Sequence, residues 1–470
     1  MSDLISTFQN MKAAHATARA TLSVTTAKQR TAQLTALETA LLAHEDRLIA
    51  AMNTDFSHRS VQECRTFDIT TSLSEIRSNR KQLKSWMRAR RVRTPLQFRP
   101  ATCEIRPQPL GVVGIIAPWN FPVYLAVAPV AAALAAGNRV MIKPSELSPR
   151  TSEALANMMY ATFAPDVVSV ITGGADVAAT FSALPFDHLL FTGSTAIGRI
   201  VAQAAAQNLT PVTLELGGKS PAILMPSADL DRAARRIAWG KAASAGQICV
   251  APDYVLVPRS LMQAAADAIL GAWAKFYPDG SKGDDYSAII SERHLERLHT
   301  LLNEAKGRGA QSLSNEPDGP IAGTRKFAPV VVLDPPLDTT LMREEIFGPI
   351  LPLIPYDTPQ EALDFVGARD HPLALYVFAN DRDEQELWLN GSISGGVTIN
   401  DTVIHVSVDT LPFGGVGASG MGAYHGRHGF ETFSHMKSVV RQAKWNGMFV
   451  TEPPFKGWKA RTLNALRKVI

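Results

Sequence analysis

Apolar residues over the first ninety positions recur at helical spacing, with Leu34, Leu37, Leu41 and Leu48 on one face. The stretch 71–88 continues that periodicity with a basic outer face. From Gly111 the pattern changes. Short apolar runs at 111–117, 139–143, 167–171 and 188–191 alternate with helical segments at 122–136, from Ser148, from Asp176 and at 197–207. Runs of that kind read as strands buried on both faces, and strand–helix alternation implies a parallel sheet covered by helices. A second α/β unit begins near Leu214. It takes in strands at 221–225, 253–257 and 330–333, helices at 230–244 and 261–276, and a loop and strand at 391–400. Residues 95–109 are punctuated by proline, and 102–106 reads as a strand leaving the body of the fold. A last short strand is expected at 438–443. Leu463, Leu466 and Ile470 place a helix in the tail, packed on the protein surface.

Composition narrows the classes this fold can serve. The 470 residues are 46% hydrophobic and 19% charged, enough for two or three globular domains. The 47 basic and 43 acidic side chains leave a net charge of +4, too balanced to argue for nucleic acid. One charge run, Arg88-Ala89-Arg90-Arg91-Val92-Arg93, reads as solvated surface, with a phosphate or an acidic partner as the second reading. The three cysteines, Cys64, Cys103 and Cys249, are too few for a disulfide framework, and no C-x-x-C pair points to zinc. The apolar run at 123–136 is short of a membrane span and holds Pro129. Met1-Ser2-Asp3-Leu4 has no basic or apolar leader, so a cytoplasmic protein is expected.

Candidate chemistry centres on Ala245-Gly246-Gln247-Ile248-Cys249-Val250-Ala251-Pro252. A thiolate is the strongest nucleophile among the side chains, and local pKa controls it. Gly246 leaves room above the sulfur; a buried, inert cysteine fits the same stretch. Glu215 stands between two leucines before Gly217-Gly218. Buried there, it would hold a raised pKa and suit a general base; on a turn it would be a surface charge. Asn120, between Pro118 and Pro122 at a strand end, offers a neutral donor to an oxyanion, or simply turn chemistry. Lys143 and Glu146 follow another strand and could reach ribose hydroxyls, or could open a helix. Gly193 and Ser194 open a helix after a strand, where phosphate can approach backbone N–H groups, although the spacing is not G-x-G-x-x-G. Glu345 and Phe347 could hold the ribose and flank the ring of a nicotinamide, or form an acidic turn before a buried ring. The glycine-dense segment 411–420 is fit for a loop passing close to a site, or for a surface loop.

The joint occurrence of these segments, from about Leu34 to Arg441, resembles the aldehyde dehydrogenase superfamily. Segments 210–221 and 249–254 look like its class 3 branch. Asp55-Phe56-Ser57-His58-Arg59-Ser60 and the segment 411–433 look most like bacterial coniferyl aldehyde dehydrogenases. The resemblance implies an α/β fold with a Rossmann-like cofactor domain (1–94 and 110–213) and an α/β catalytic domain (214–435). It adds a small β oligomerisation arm (95–109 and 436–447) and a tail helix (448–470). It implies NAD or NADP as cofactor, a homodimer, and oxidation of an aromatic or medium-chain apolar aldehyde through a cysteine thiohemiacetal and thioester. Cys249 would then be the nucleophile and Glu215 the base. Asn120 and the Cys249 backbone N–H would form the oxyanion hole. Trp119, Lys143, Glu146, Gly193, Ser194, Glu345 and Phe347 would hold the cofactor. Many relatives carry Thr before the cysteine; Ile248 here implies a more apolar, narrower pocket. Two other readings fit the fold. Glu215, redundant if CoA takes the acyl group, argues against a CoA-acylating enzyme. The intact set Asn120, Glu215 and Cys249 argues against a non-enzymatic protein.

Overall fold

The apolar runs become a six-stranded sheet in the computed structural model, which describes residues 2–21 and 25–467. Across the sheet the order is Gly420–Met421, Val212–Leu216, His188–Gly193, Val112–Ile116, Arg139–Lys143, Val168–Val170. All pair in parallel except the first. From Val112–Ile116 the chain builds outward to Val168–Val170, then returns to His188–Gly193 and builds the other way. Connections therefore diverge between Val112–Ile116 and His188–Gly193, which opens a crevice at their carboxyl ends. Every residue of Val112–Ile116 is buried, and so is every residue of the adjoining helix Tyr124–Ala136. That helix stops at Gly137, whose φ of 92° would strain any side chain and whose added Cβ would lie 2.5 Å from the Arg30 guanidinium.

A second sheet has seven strands in the order Gln311–Leu313, Val330–Leu333, Ile350–Tyr356, Tyr254–Pro258, Pro221–Leu224, Ala374–Phe378, Gly396–Ile399. Only the first pair is antiparallel. The third sheet is antiparallel and pairs Thr102–Pro109 with Arg90–Val92 on one side and Ser434–Arg441 on the other. In the N-terminal helices Leu34, Leu37, Leu41 and Leu48 are fully buried, as their spacing requires. Among the described residues no helix is long and apolar enough to cross a membrane.

The structure moves several expected boundaries. The division placed at 214 falls inside Val212–Leu216, all of which belongs to the first sheet; the chain leaves that sheet only after Leu216, at Gly217-Gly218. Residues near the end of the second unit also return to the first. Gly420–Met421 pairs with Leu214 and Glu215, and the Phe430 ring packs at a tilt 5.6 Å from that of Trp86. The arginine run supplies a strand, Arg90–Val92, because an outlying ribbon can carry charge on both faces. The tail forms a short helix, Trp458–Leu466, none of whose residues is buried, so it does not pack as expected. Ile470, the third residue of its expected face, lies outside the described residues.

Candidate active site

Two cavities meet at three residues. One, of about 130 Å³, is walled by Phe121, Tyr124, Trp239, Ile248, Phe413 and Tyr424 among other apolar side chains. The other, of about 470 Å³, lies over the sheet crevice and is lined by Trp119, Asn120, Gly193, Ser194, Glu345 and Phe347 among others. Thr192, Glu215 and Cys249 line both. The dense apolar packing of the first cavity leaves the meeting point nearly dry, which raises the weight of every charge there.

The turn before Cys249 is held in an unusual backbone shape. The helix Leu230–Ala242 ends before Ser244 and Ala245, which take φ of 49° and 51°, and Gly246 follows at 73°. A Cβ on Gly246 would lie 2.4 Å from the Gly348 carbonyl oxygen. Only glycine lets those two segments touch. Gln247 ties the turn down. Its Nε2 donates to the carbonyls of Ser244 (2.9 Å) and Ala288 (3.0 Å), and its Oε1 accepts from the Ile290 N–H (3.0 Å). Asn120 Nδ2 donates to the Gln247 carbonyl at 3.1 Å. That bond uses one amide hydrogen and leaves the other for the cavity. Cys249 is a free thiol, partly exposed. Burial, then the nearby Glu345 and Glu215 carboxyls, push it up to about 12, and the Cys249 and Val250 N–H groups act the other way.

Glu215 sits mid-sheet, paired with Thr192 on one side and Gly420 on the other. It is 2% exposed, and neither carboxyl oxygen has a hydrogen-bond partner among the described residues. Burial holds its pKa well above the ordinary carboxylate range. Thr192 Oγ1 and Tyr424 Oη are likewise buried and unpartnered. Orphaned polar atoms are rare in native cores, and several around one cavity mark a place where a ligand completes the bonding. Thr192 and Tyr424 were not singled out from sequence. Thr192 is one of many threonines in strands, and Tyr424 reaches the site only through tertiary packing.

On the crevice side, Trp119 meets Phe347 edge-to-face at 5.3 Å and His294 at 5.2 Å. The segment carrying Glu345 and Phe347 is fixed by long-range bonds. Asp253 Oδ1 accepts from the Ile346 N–H (2.9 Å), and Lys219 Nζ, paired with Asp253, donates to the carbonyls of Leu341 and Glu344 (2.9 and 2.8 Å). Arg297 donates to the carbonyls of Glu345 and Ile346. Burial raises Glu345 to about 8, with Asp253 adding to the rise. Gly217 lets that carboxylate approach, since a Cβ there would come within 2.0 Å of it. Gly193 and Ser194 stand at the start of helix Thr195–Ala206, whose N-terminal N–H groups suit a phosphate. Lys143 is buried and donates to Glu146 at 3.0 Å. The two stand at the next strand end and do not line the cavity at Cys249. Arg297 and His294 also escaped the sequence reading, since a helix 45 residues after the cysteine carries no local mark of its contact.

Three buried carboxyls of the N-terminal helices brace the site from behind. Glu63 Oε1 accepts from the Ser244 N–H at 2.8 Å, ahead of Cys249. Asp68, in a buried ion pair with Arg59 at 3.0 Å, accepts from the Val123 and Tyr124 N–H groups, both 3.1 Å, at the helix following Asn120. Glu75 Oε1 accepts from the Gly426 N–H at 2.9 Å, beside Tyr424. Each carboxyl satisfies backbone donors that the turn would otherwise leave unpaired.

This arrangement sets one half-buried thiol and one buried acid between an apolar cavity and a crevice shaped for a dinucleotide. The aldehyde dehydrogenase family model matches residues 6–439. The chain belongs to the aldehyde dehydrogenase family. It is 47% identical over 429 residues to a probable coniferyl aldehyde dehydrogenase of Pseudomonas aeruginosa, covering 91% of this chain and 90% of that one. It is 42% identical over 412 residues to aldehyde dehydrogenase family 3 member A2 of Macaca fascicularis, covering 87% and 83%. A solved structure of AldH from Staphylococcus aureus in a substrate-bound state superposes with a TM-score of 0.92 at 38% identity, covering 98% of each chain. The resemblance to the family, its fold and its coniferyl branch therefore holds. The enzyme oxidises an aldehyde to its carboxylic acid with NAD(P).

Proposed function

We propose that Cys249, Glu215 and Asn120 carry this oxidation, and that the aldehyde is aromatic and apolar. The observation behind the reading is the meeting of the two cavities at Cys249 and Glu215. The aldehyde enters the apolar cavity with its carbonyl carbon at the sulfur. Cys249 Sγ adds to that carbon as the thiol proton passes to solvent, which the partly exposed sulfur can reach. The free hydrogen of the Asn120 amide and the Cys249 N–H steady the charge on oxygen, donors that are already in place and need no reorganisation. NAD(P), when bound in the crevice, supplies the hydride acceptor. The crevice fits such a group: Gly193 and Gly217 admit close approach, the helix after Ser194 offers N–H groups to phosphate, and Glu345 and Phe347 stand at the end nearest the sulfur. Glu215 takes the proton from the water that hydrolyses the thioester left on Cys249. Burial raises its pKa above the ordinary carboxylate range, which makes it a stronger base than an exposed carboxylate once ionised.

The ring-rich wall supports an aromatic substrate, since flat rings stack well against Phe121, Tyr124, Trp239, Phe413 and Tyr424. Ile248 adds apolar surface beside the reacting carbon. The name of the Pseudomonas relative points the same way. Comparing kcat/KM across straight-chain and ring-bearing aldehydes tests this; a preference for aliphatic chains would overturn it. NAD is the favoured cofactor. Glu146, whose pKa stays below the ordinary range against the opposing effect of burial, is charged at neutral pH and would repel a 2′-phosphate. Equal or better kcat/KM with NADP would refute that. The three-stranded sheet ends in a long exposed edge, Ser434–Arg441, which a second copy would cover. A sedimentation mass of one chain would exclude the dimer. The sparse, unpaired cysteines suit the cytoplasm; a localisation assay tests that placement.

A further inference from the structure

Away from the active site, a cavity of about 650 Å³ lies at the base of the three-stranded sheet, lined by His15, Arg19, Arg30, Arg106 and His435. Among the described residues that line it, none is a carboxylate. It shares no lining residue with the cavities at Cys249. Arg30 is only 5% exposed and is held in place. Its Nε donates to the Thr25 carbonyl (3.1 Å) and its Nη1 to the Ala135 carbonyl (3.0 Å). These are neutral acceptors, and among the described residues no carboxylate pairs with its charge. Burial also lowers its pKa to about 10, the mark of a cation short of compensation. His15 Nε2 is buried without a hydrogen-bond partner among the described residues.

The nearby acids are already engaged. Asp187 accepts from Lys12 at 2.9 and 3.0 Å and from the Val112 N–H at 2.7 Å. Glu104 accepts from Arg106 at 2.6 Å and from Arg441 at 3.1 Å. The positive character continues past the cavity. An adjoining one, sharing Ala89 and Pro107, is lined by Arg88, Arg90 and Arg427. Its single acid, Glu431, is paired with Arg427 at 2.8 Å. The arginine run that the oxidation leaves unused thus forms one rim of a concave basic surface.

We propose that this cavity binds a small multivalent oxyanion of the phosphate type. Arginine forks match such groups in two-point contacts, and a concave surface of predominantly positive charge focuses the field on an anion. The space exceeds what a single phosphate needs, which favours a chain of two or three. The source is inorganic polyphosphate or the tail of a nucleotide, and the two share this chemistry.

Calorimetric titration with inorganic tripolyphosphate tests it, at low ionic strength and with the cofactor crevice saturated by NAD. One saturable site is expected, weakened by added salt. The double variant Arg19→Gln/Arg106→Gln, in which both side chains are exposed, should weaken binding at least about tenfold. The variant should keep NAD-linked turnover, so a failure here is separate from a failure of the catalytic assignment. ATP in place of tripolyphosphate distinguishes the sources. Tighter binding of ATP points to a nucleotide, and equal binding to the phosphate chain alone. Absence of saturable heat, or equal affinity in the variant, overturns the proposal.

Discussion

Replacing Glu215 by Gln keeps the shape of the side chain and removes its basicity. In the wild type the carboxyl is almost fully buried, and both oxygens lack partners. The substitution therefore breaks no hydrogen bond in the free protein. Its folded-state pKa lies above the ordinary value. Such an acid favours the folded state less as pH rises past the unfolded pKa, so at neutral pH Gln should leave stability unchanged or raise it. The effect on turnover should be large. A positioned general base contributes roughly 10²–10⁴ in rate, or about 2.7–5.4 kcal/mol of barrier. The loss should fall on thioester hydrolysis and spare the first hydride transfer. Rapid mixing with aldehyde and NAD should show a burst of reduced cofactor close to one per active site, followed by a steady rate about 10²-fold lower or worse. Mass spectrometry should find the acyl group on Cys249. A steady rate within about threefold of wild type, or loss of the burst itself, would refute the assignment of Glu215 as the hydrolytic base.

Cys249→Ala should abolish oxidation while leaving the affinity for NAD intact; residual full turnover would refute the nucleophile. Because the sulfur is pushed up to about 12, the free enzyme holds a thiol at neutral pH. Its alkylation by iodoacetamide should be about a thousandfold slower than that of an ordinary cysteine thiol at the same pH and climb with pH throughout the accessible range, so a plateau below about pH 9 would contradict it. Gly246→Ala should lower the Tm and kcat together. The φ of 73° and the 2.4 Å approach to the Gly348 carbonyl oxygen leave no room for a Cβ; a wild-type Tm would show that the turn is not so constrained. Glu75 is 3% exposed, and burial raises it to about 7 from an ordinary 4.5. The folded state thus binds a proton that the unfolded chain has released, and stability should fall by about 3 kcal/mol as pH rises through that window. Glu75→Gln should remove this slope in denaturant titrations; an unchanged slope would refute it.

Local pattern determined a great deal in this protein. Wholly apolar runs such as 112–116 read as strands sealed on both faces, and Leu34, Leu37, Leu41 and Leu48 at helical spacing read as a buried helical stripe. Those features made the α/β class legible, and the family resemblance carried jointly by the segments around Cys249, Glu215 and Asn120 implied the reaction. The joins between units were less legible. Periodicity does not say which sheet a strand enters, so Val212–Leu216 was divided between two units that the hydrogen-bond ladder assigns to one. The tail helix is shorter than its pattern suggests and buries no residue, because apolar side chains at helical spacing, such as Leu463 and Leu466, mark a face without supplying a surface to cover it. What tertiary structure alone decided is who meets whom. Glu63, Asp68 and Glu75 look like ordinary polar positions on helices, yet each caps backbone N–H groups in a segment at least 50 residues away. Thr192 and Tyr424 become chemical groups only because folding leaves their hydroxyls dry and unpaired around one cavity. Sequence sets the chemistry each position can offer, whereas burial and long-range hydrogen bonds set which of those groups carry a charge, lack a partner and face a substrate, because both depend on neighbours that no local pattern records.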